Sequence, residues 1–214
     1  MNLKAALFDL DNTLYSQDVN LFSQMNVRIN EYMQSIVGIP KHDVDRLRIY
    51  YWKKYGLTLI GLMRHHQVEA EDYLSYIHDI DINNVIVPNK ELYRTIQHIP
   101  LKKFILTNSC KEYAEKVLSA LQIRELFDII FDIRTSAFKP KPAPEAYKLT
   151  LQCIGYHANE CAFIDDSLEN VKTAWELGMK TILIGESSEF FVSCSAQTPV
   201  QAAQILKKWT ETQL

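Results

Sequence analysis

Apolar and polar positions change their rhythm twice along this chain. A short apolar run from Ala5 to Phe8 ends abruptly at Asp9. A run of that length without alternation reads as a strand buried on both faces. From Val19 to about Pro88 no strand pattern appears. Leu21, Phe22, Met25, Ile29, Met33, Ile36 and Val37 recur at helical spacing, and Gly38 to Pro40 closes that helix. Val44, Leu47, Tyr51 and Tyr55 mark a second helix stopped by Gly56, Leu57 to His66 a third, and Tyr73, Leu74, Ile77 and Ile80 continue the pattern to the Asp79-Ile80-Asp81 turn. Beyond Pro88, strands and helices alternate. Asn89 caps a helix running to about His98. Lys102 to Thr107 reads as a strand, and Ser109 with Glu112 reads as a capping box opening a helix to Leu121. Ile129 to Phe131 is a short strand, Pro144 opens a helix ending at Gly155, and Cys161 to Ile164 is a strand. Ser167 caps a helix ending at Gly178, Lys180 to Ile184 is a strand, and Thr198-Pro199 starts a closing helix to about Trp209. Ser187 to Gln197 reads as the most mobile loop.

Such alternation predicts an α/β fold, a Rossmann-like parallel sheet with helices on both faces, interrupted after its first strand by a purely helical insert. The expected organisation is a core of residues 1–15 and 88–214 and a helical domain of residues 16–87.

Composition narrows the field. The chain has 214 residues, 47% of them apolar, which is enough for a sizeable core. A net charge of -3, with no long block of one sign, argues against a partner made of nucleic acid. No apolar segment approaches the roughly 20 residues needed to span a bilayer, so no membrane partner is expected. A first strand starting near Leu3 is read as leaving no room for a signal peptide. Cys110, Cys153, Cys161 and Cys194 lack metal-ligand spacing and read as reduced thiols in the cytoplasm.

The candidate chemistry sits where the strands end. In an extended chain Asp9 and Asp11 share a face, and as the chain turns both can reach one small volume. Two carboxylates so close repel, and a divalent cation between them is one remedy. Oxygen donors with no His or Cys nearby point to Mg2+ rather than Zn2+. Thr107, Asn108 and Ser109 follow the second strand, and Asp165 and Asp166 follow the fourth. In open parallel sheets ligands bind at the carboxyl ends of strands. Three strand ends carrying carboxylate, hydroxyl and amide groups therefore predict one site.

Four stretches resemble the motifs of the haloacid dehalogenase superfamily of phosphotransfer enzymes. They are Phe8-Asp9-Leu10-Asp11-Asn12-Thr13, Leu106-Thr107-Asn108-Ser109, Lys141-Pro142-Ala143-Pro144-Glu145-Ala146-Tyr147, and Phe163-Ile164-Asp165-Asp166-Ser167 with Asn170. The resemblance implies that Asp9 attacks phosphorus to form an aspartyl-phosphate, and that Asp11 protonates the leaving oxygen and then activates water. It implies a Mg2+ site made by Asp9, Asp166 and the backbone carbonyl of Asp11, with Asp165 and Asn170 supporting it and direct contact by Asp165 left open. Thr107 and Asn108 would bind the phosphoryl oxygens, and Lys141 would neutralise charge on Asp9 and the phosphate. Lys139 competes for that role, but only Lys141 is followed by the Pro-x-Pro-x-x-Tyr pattern.

The insert resembles the cap of one subclass. Leu14-Tyr15, Leu21-Phe22, Arg28-Ile29, Tyr55-Gly56-Leu57-Thr58-Leu59, Gly61-Leu62-Met63 and Tyr73 to Asp81 are similar to the pyrimidine 5'-nucleotidase group. That likeness implies a small phosphorylated partner, a nucleotide monophosphate of the UMP or CMP type, and a monomer or homodimer. Phe22, Met25, Arg28, Arg46, Tyr50, Tyr51 and Trp52 are candidate base contacts, while helical spacing also suits them to packing. His65, His66 and His78 have no partner at metal spacing and read as surface or packing residues. The alternatives are a phosphatase for another metabolite, such as a sugar phosphate, phosphoglycolate or a flavin-type phosphate, and a non-catalytic phosphate-binding regulator. Dehalogenation is disfavoured because halide departure does not need the proton that Asp11 supplies.

Overall fold

The computed structural model describes residues 2–211. By their contacts the described residues form two compact units, one made of residues up to Val19 together with those from Ile86 on, the other of Asn20–Val85.

The first unit is built on six parallel strands: β1 (Ala5–Phe8), β2 (Lys102–Leu106), β3 (Ile129–Phe131), β4 (Cys161–Asp165), β5 (Lys180–Ile184) and β6 (Cys194–Ala196). Their order is β3-β2-β1-β4-β5-β6, with every neighbouring pair parallel. The chain winds outward from β1 through β2 to β3, then returns to the other side of β1 and winds outward through β4 and β5 to β6. The reversal point therefore lies between β1 and β4, where such sheets place their ligands.

All four residues of β1 are buried, because both faces of the sheet are covered. On one face Ala5, Leu7, Phe104, Leu106, Cys161 and Phe163 pack against Ala146 and Tyr147 of the helix Pro144–Ile154 and Ala174 of the helix Leu168–Glu176. On the other, Phe8 meets the edge of Phe127 with ring centroids 5.5 Å apart.

Local chemistry sets the helix ends. The Asn89 side chain accepts from the backbone N–H groups of Glu91 and Leu92, capping the helix Lys90–Gln97. Gly155, at φ 72°, ends the helix Pro144–Ile154 in the left-handed conformation that a side chain disfavours. The expected capping box at Ser109 does not form. The helix Lys111–Ala120 starts from Cys110, whose side chain makes no cap bond; instead the carboxylate of Asp132 accepts from the N–H of Lys111 at 3.1 Å. Ser109 has a different task, described below.

The stretch 187–197, expected to be a loop, contains β6. Three residues, Cys194 to Ala196, give no apolar run to read. What places them is Thr181 in β5, whose buried hydroxyl donates to the Phe191 carbonyl at 2.8 Å and accepts from the Ser193 N–H at 3.1 Å.

The second unit consists of four helices, α1 (Leu21–Ser35), α2 (Lys41–Tyr55), α3 (Thr58–His66) and α4 (Ala70–Ile77). Helices α2 and α3 pack tightly at Gly61, where a methyl group would lie 2.1 Å from Cγ of Tyr51. Met25 and Tyr51 are buried, whereas Phe22, Tyr50 and Trp52 are exposed. Arg28 lies over the Tyr76 ring and Arg46 donates to Asp43. The three histidines take packing roles: His65 and His66 bond the hydroxyls of Tyr55 and Tyr51, and buried His78 bonds the Leu74 carbonyl. Among the described residues no helix is long and apolar enough to cross a membrane.

Candidate active site

The carboxyl ends of β1, β2 and β4 bring the site together. Asp9 leaves β1 with its N–H donating to the Ile164 carbonyl of β4 at 2.8 Å. The chain then turns tightly, with the N–H of Leu14 reaching back to the Leu10 carbonyl and Asn12 at φ 57°. This turn folds Thr13 back so that its hydroxyl donates to Asp9 Oδ2 at 3.1 Å. The chain thereby presents Asp9 Oδ1 to Lys141, whose Nζ donates to it at 2.7 Å.

Lys141 is buried and bridges two carboxylates, since the same ammonium donates to Asp165 Oδ2 at 2.7 Å. Its loop is locked by Asn108. The Asn108 side-chain carbonyl accepts from the Lys141 N–H at 2.8 Å, and its amide donates to the Lys141 carbonyl at 3.0 Å. Lys139, the competitor, is exposed and pairs with Glu145 at 3.4 Å. Burial alone would lower the pKa of Lys141, but Asp165 and Asp9 outweigh it and hold the ammonium charged.

Asp165 is fully buried and both of its oxygens are engaged by three donors. Oδ1 accepts from the Ser167 N–H at 2.8 Å and from Asn170 Nδ2 at 2.9 Å, while Oδ2 accepts from Lys141 and from the same Asn170 amide at 3.1 Å. Asn170 is held in turn by the Tyr147 hydroxyl, which donates to its carbonyl at 3.0 Å.

Asp9, Asp165 and Asp166 each offer a carboxylate oxygen, and these atoms lie within 4.8 Å of one another. Burial, then Asp165 and Asp166, push the Asp9 carboxyl well up against the pull of Lys141. Burial and Asp165 likewise raise Asp166 to about 6. Three carboxylates face one ammonium, so the cluster holds excess negative charge in a buried place. A hard divalent cation suits that donor set. Asp165 already accepts from Ser167, Asn170 and Lys141, whereas Asp9 accepts from Lys141 and Thr13.

Asp11 contributes no carboxylate oxygen to this cluster. Its side chain is held elsewhere, by three hydroxyls: Tyr15 at 2.6 Å and Tyr113 at 2.8 Å on Oδ1, and Ser109 at 2.9 Å on Oδ2. Burial, reinforced by the Asp11 charge, pushes both phenols far above their ordinary range, so they remain protonated donors. The hydroxyl of Thr107 accepts from the Ser109 N–H at 3.0 Å, fixing the turn that leads into the following helix. Sequence reasoning did not single out Tyr15, Tyr113, Ser109 or Thr13 as partners of the two aspartates. Thr13 and Ser109 stand within the polar stretches that follow the first and second strands, Tyr15 lies four residues after Asp11, and Tyr113 has no mark beyond lying four residues after Ser109.

Comparison with known proteins bears on the family and the fold. The model of the haloacid dehalogenase-like hydrolases matches residues 3–178. Phosphate metabolism protein 8 of Saccharomyces cerevisiae is 27% identical over 195 residues, covering 84% of this chain and 61% of that protein, so the chain spans less than two thirds of this relative. Phosphoglycolate phosphatase of Aquifex aeolicus is 22% identical over 187 residues, covering 85% of this chain and 84% of that protein. Among solved structures, the HAD hydrolase YfnB of Bacillus subtilis bound to magnesium superposes with a TM-score of 0.64 at 17% identity, covering 96% of this chain and 99% of that one. That likeness speaks for the fold, and the match to the family model over most of the chain speaks for descent. This chain belongs to the haloacid dehalogenase-like hydrolases.

Proposed function

We propose that this hydrolase is a Mg2+-dependent phosphomonoesterase that works through an aspartyl-phosphate on Asp9 and cleaves 5'-nucleotide monophosphates of the pyrimidine type. The observation that carries the chemistry is the buried Asp9 carboxylate, pinned by Lys141 and Thr13 beside Asp165 and Asp166. A carboxylate is a weak nucleophile, so its orientation and the neutralisation of charge around it must supply most of the acceleration. An Asp9 oxygen attacks phosphorus, the bond from phosphorus to the ester oxygen breaks, and the departing oxygen takes a proton from Asp11. Water then attacks the aspartyl-phosphate, Asp11 takes a proton from that water, and the bond from phosphorus to Asp9 breaks to release phosphate. Lys141 balances negative charge on Asp9 and on the incoming phosphate, while the Thr107 hydroxyl and the backbone N–H of Asn108 would bind phosphoryl oxygens, the Asn108 side chain being occupied by the Lys141 backbone. Mg2+, held by Asp9, Asp166 and the Asp11 carbonyl, would supply the charge that keeps two carboxylates and a phosphate together. Asp165 orients Lys141 and Asn170.

The nucleotide reading is supported by the wording of the helical insert and by Phe22, Tyr50 and Trp52, aromatic faces exposed to solvent on that unit and able to stack on a base. A second reading, a phosphatase for another small metabolite, is favoured by the likeness to phosphoglycolate phosphatase.

The test is phosphate release with Mg2+ from UMP, CMP, AMP, GMP, phosphoglycolate and a set of sugar phosphates. UMP and CMP should exceed the others by at least about tenfold in kcat/KM, the scale of one modest binding difference. Release from other esters but from no nucleotide overturns the substrate assignment. Silence across the panel overturns the phosphatase. Asp9→Asn should abolish turnover while leaving the melting profile that of a folded protein.

A further inference from the structure

The partners of Asp11 form an arrangement that the chemistry above does not by itself require. A carboxylate offers about four lone-pair positions. Two on Oδ1 are taken by the phenols of Tyr15 and Tyr113, and one on Oδ2 is taken by Ser109. Among the described residues no donor is recorded for the fourth position, which belongs to Oδ2. The donors come from separate parts of the core. Tyr15 follows the turn after β1, Ser109 lies in the turn that leads from β2 into the helix Lys111–Ala120, and Tyr113 stands in the first turn of that helix. The two phenolic oxygens lie 3.4 Å apart, and both rings are buried, so neither can swing away from the carboxylate without displacing the other.

We propose that Tyr15 and Tyr113, which hold Oδ1, and Ser109, which takes one position of Oδ2, are positioning residues that clamp the Asp11 carboxyl and leave the other position of Oδ2 to pass a proton to the leaving group. The inference rests on the phosphomonoesterase reading and deepens it. In the first half-reaction the proton on Oδ2 moves to the ester oxygen as the bond from phosphorus to that oxygen breaks, and the carboxylate so formed is received by three hydroxyl donors already in place. In the second, a proton from the attacking water returns to the same oxygen. A carboxyl free to rotate would present the wrong edge for much of the time.

The competing view is that Tyr113 and Tyr15 are merely large buried side chains. The two views part on leaving-group dependence. A p-nitrophenolate departs with little protonation, whereas an alkoxide from a nucleotide or sugar ester needs a proton as it leaves. The quantity kcat/KM covers events up to departure of the alcohol, so it is blind to the later attack of water.

For Tyr113→Phe, kcat/KM on the best alkyl phosphate of the wild type should fall roughly 10–100-fold, part of what a positioned acid contributes. On p-nitrophenyl phosphate it should fall at least about tenfold less. Tyr15→Phe should show the same split and serves if the first variant misfolds. Equal losses on both substrates, or no loss on either, overturn the clamp. A wild type inactive on every phosphate ester overturns the function proposed above instead. The clamp is then decided by crystal structures: Asp11 fixed on both phenols in the wild type and turned in the variant supports it, and a wild-type Asp11 away from the phenols overturns it.

Discussion

Lys141 holds two carboxylates with one ammonium, 2.7 Å from each, while its own side chain is almost completely buried. Removing the cation leaves Asp9 and Asp165 facing each other without compensation. Lys141→Met should therefore destabilise the protein by about 3–5 kcal/mol, the usual consequence of stranding a buried charge, as read by urea denaturation in the absence of metal. Asn170→Ala is milder. It takes two hydrogen bonds from Asp165 and should cost about 1–3 kcal/mol. Phosphate release should drop with it, because Asp165 then holds Lys141 less firmly. Asp9, Asp166 and Lys141 were legible in the sequence because strand ends and motif words mark them. Tyr15 and Tyr113 were not. Each also satisfies the apolar pattern of its segment, so nothing in the pattern tells a packing phenol from one whose hydroxyl meets a carboxylate.

Among elements, those with strong apolar periods were readable and those held by single polar contacts were not. The buried strand Ala5–Phe8 announces itself, whereas β6 is three residues long and its approach to β5 carries the polar contacts of the Thr181 hydroxyl. Thr181→Val keeps the shape but leaves the Phe191 carbonyl and the Ser193 N–H without their partner. A loss of about 1–3 kcal/mol is expected, with faster amide exchange confined to β5 and β6. The α2–α3 contact offers a converse case, where a missing side chain is what matters. Gly61→Ala would drive a methyl group into the Tyr51 ring and should cost about 1–3 kcal/mol, as overpacking does. Truncating the ring in the double variant Gly61→Ala, Tyr51→Ala should recover part of that loss, and a thermodynamic cycle measures the coupling.

For the whole molecule, excess negative charge among Asp9, Asp165 and Asp166 would link metal binding, as proposed above, to stability. Mg2+ at a hundred times its dissociation constant should raise stability by about 2.7 kcal/mol, seen as a higher melting temperature that a chelator reverses. Asp166→Asn should remove most of that response. In the metal-free state it should melt no lower than the wild type, since it relieves repulsion in the cluster. The alternation of strands and helices made the α/β architecture legible from the sequence, and the family match agrees with it. The side of β1 on which each later strand pairs is set by chain winding, and hydrophobic period carries no record of it.

The central place of β1 between β2 and β4 has a consequence during synthesis. Ala5–Phe8 leaves the ribosome before either neighbour exists, and translation of the intervening helices up to Lys102 takes ~5–20 s at ordinary elongation rates. Throughout that wait the nascent polypeptide carries an apolar segment with open backbone donors and acceptors. Holdase chaperones recognise such a segment, and a pause in decoding residues 20–85 would lengthen its exposure.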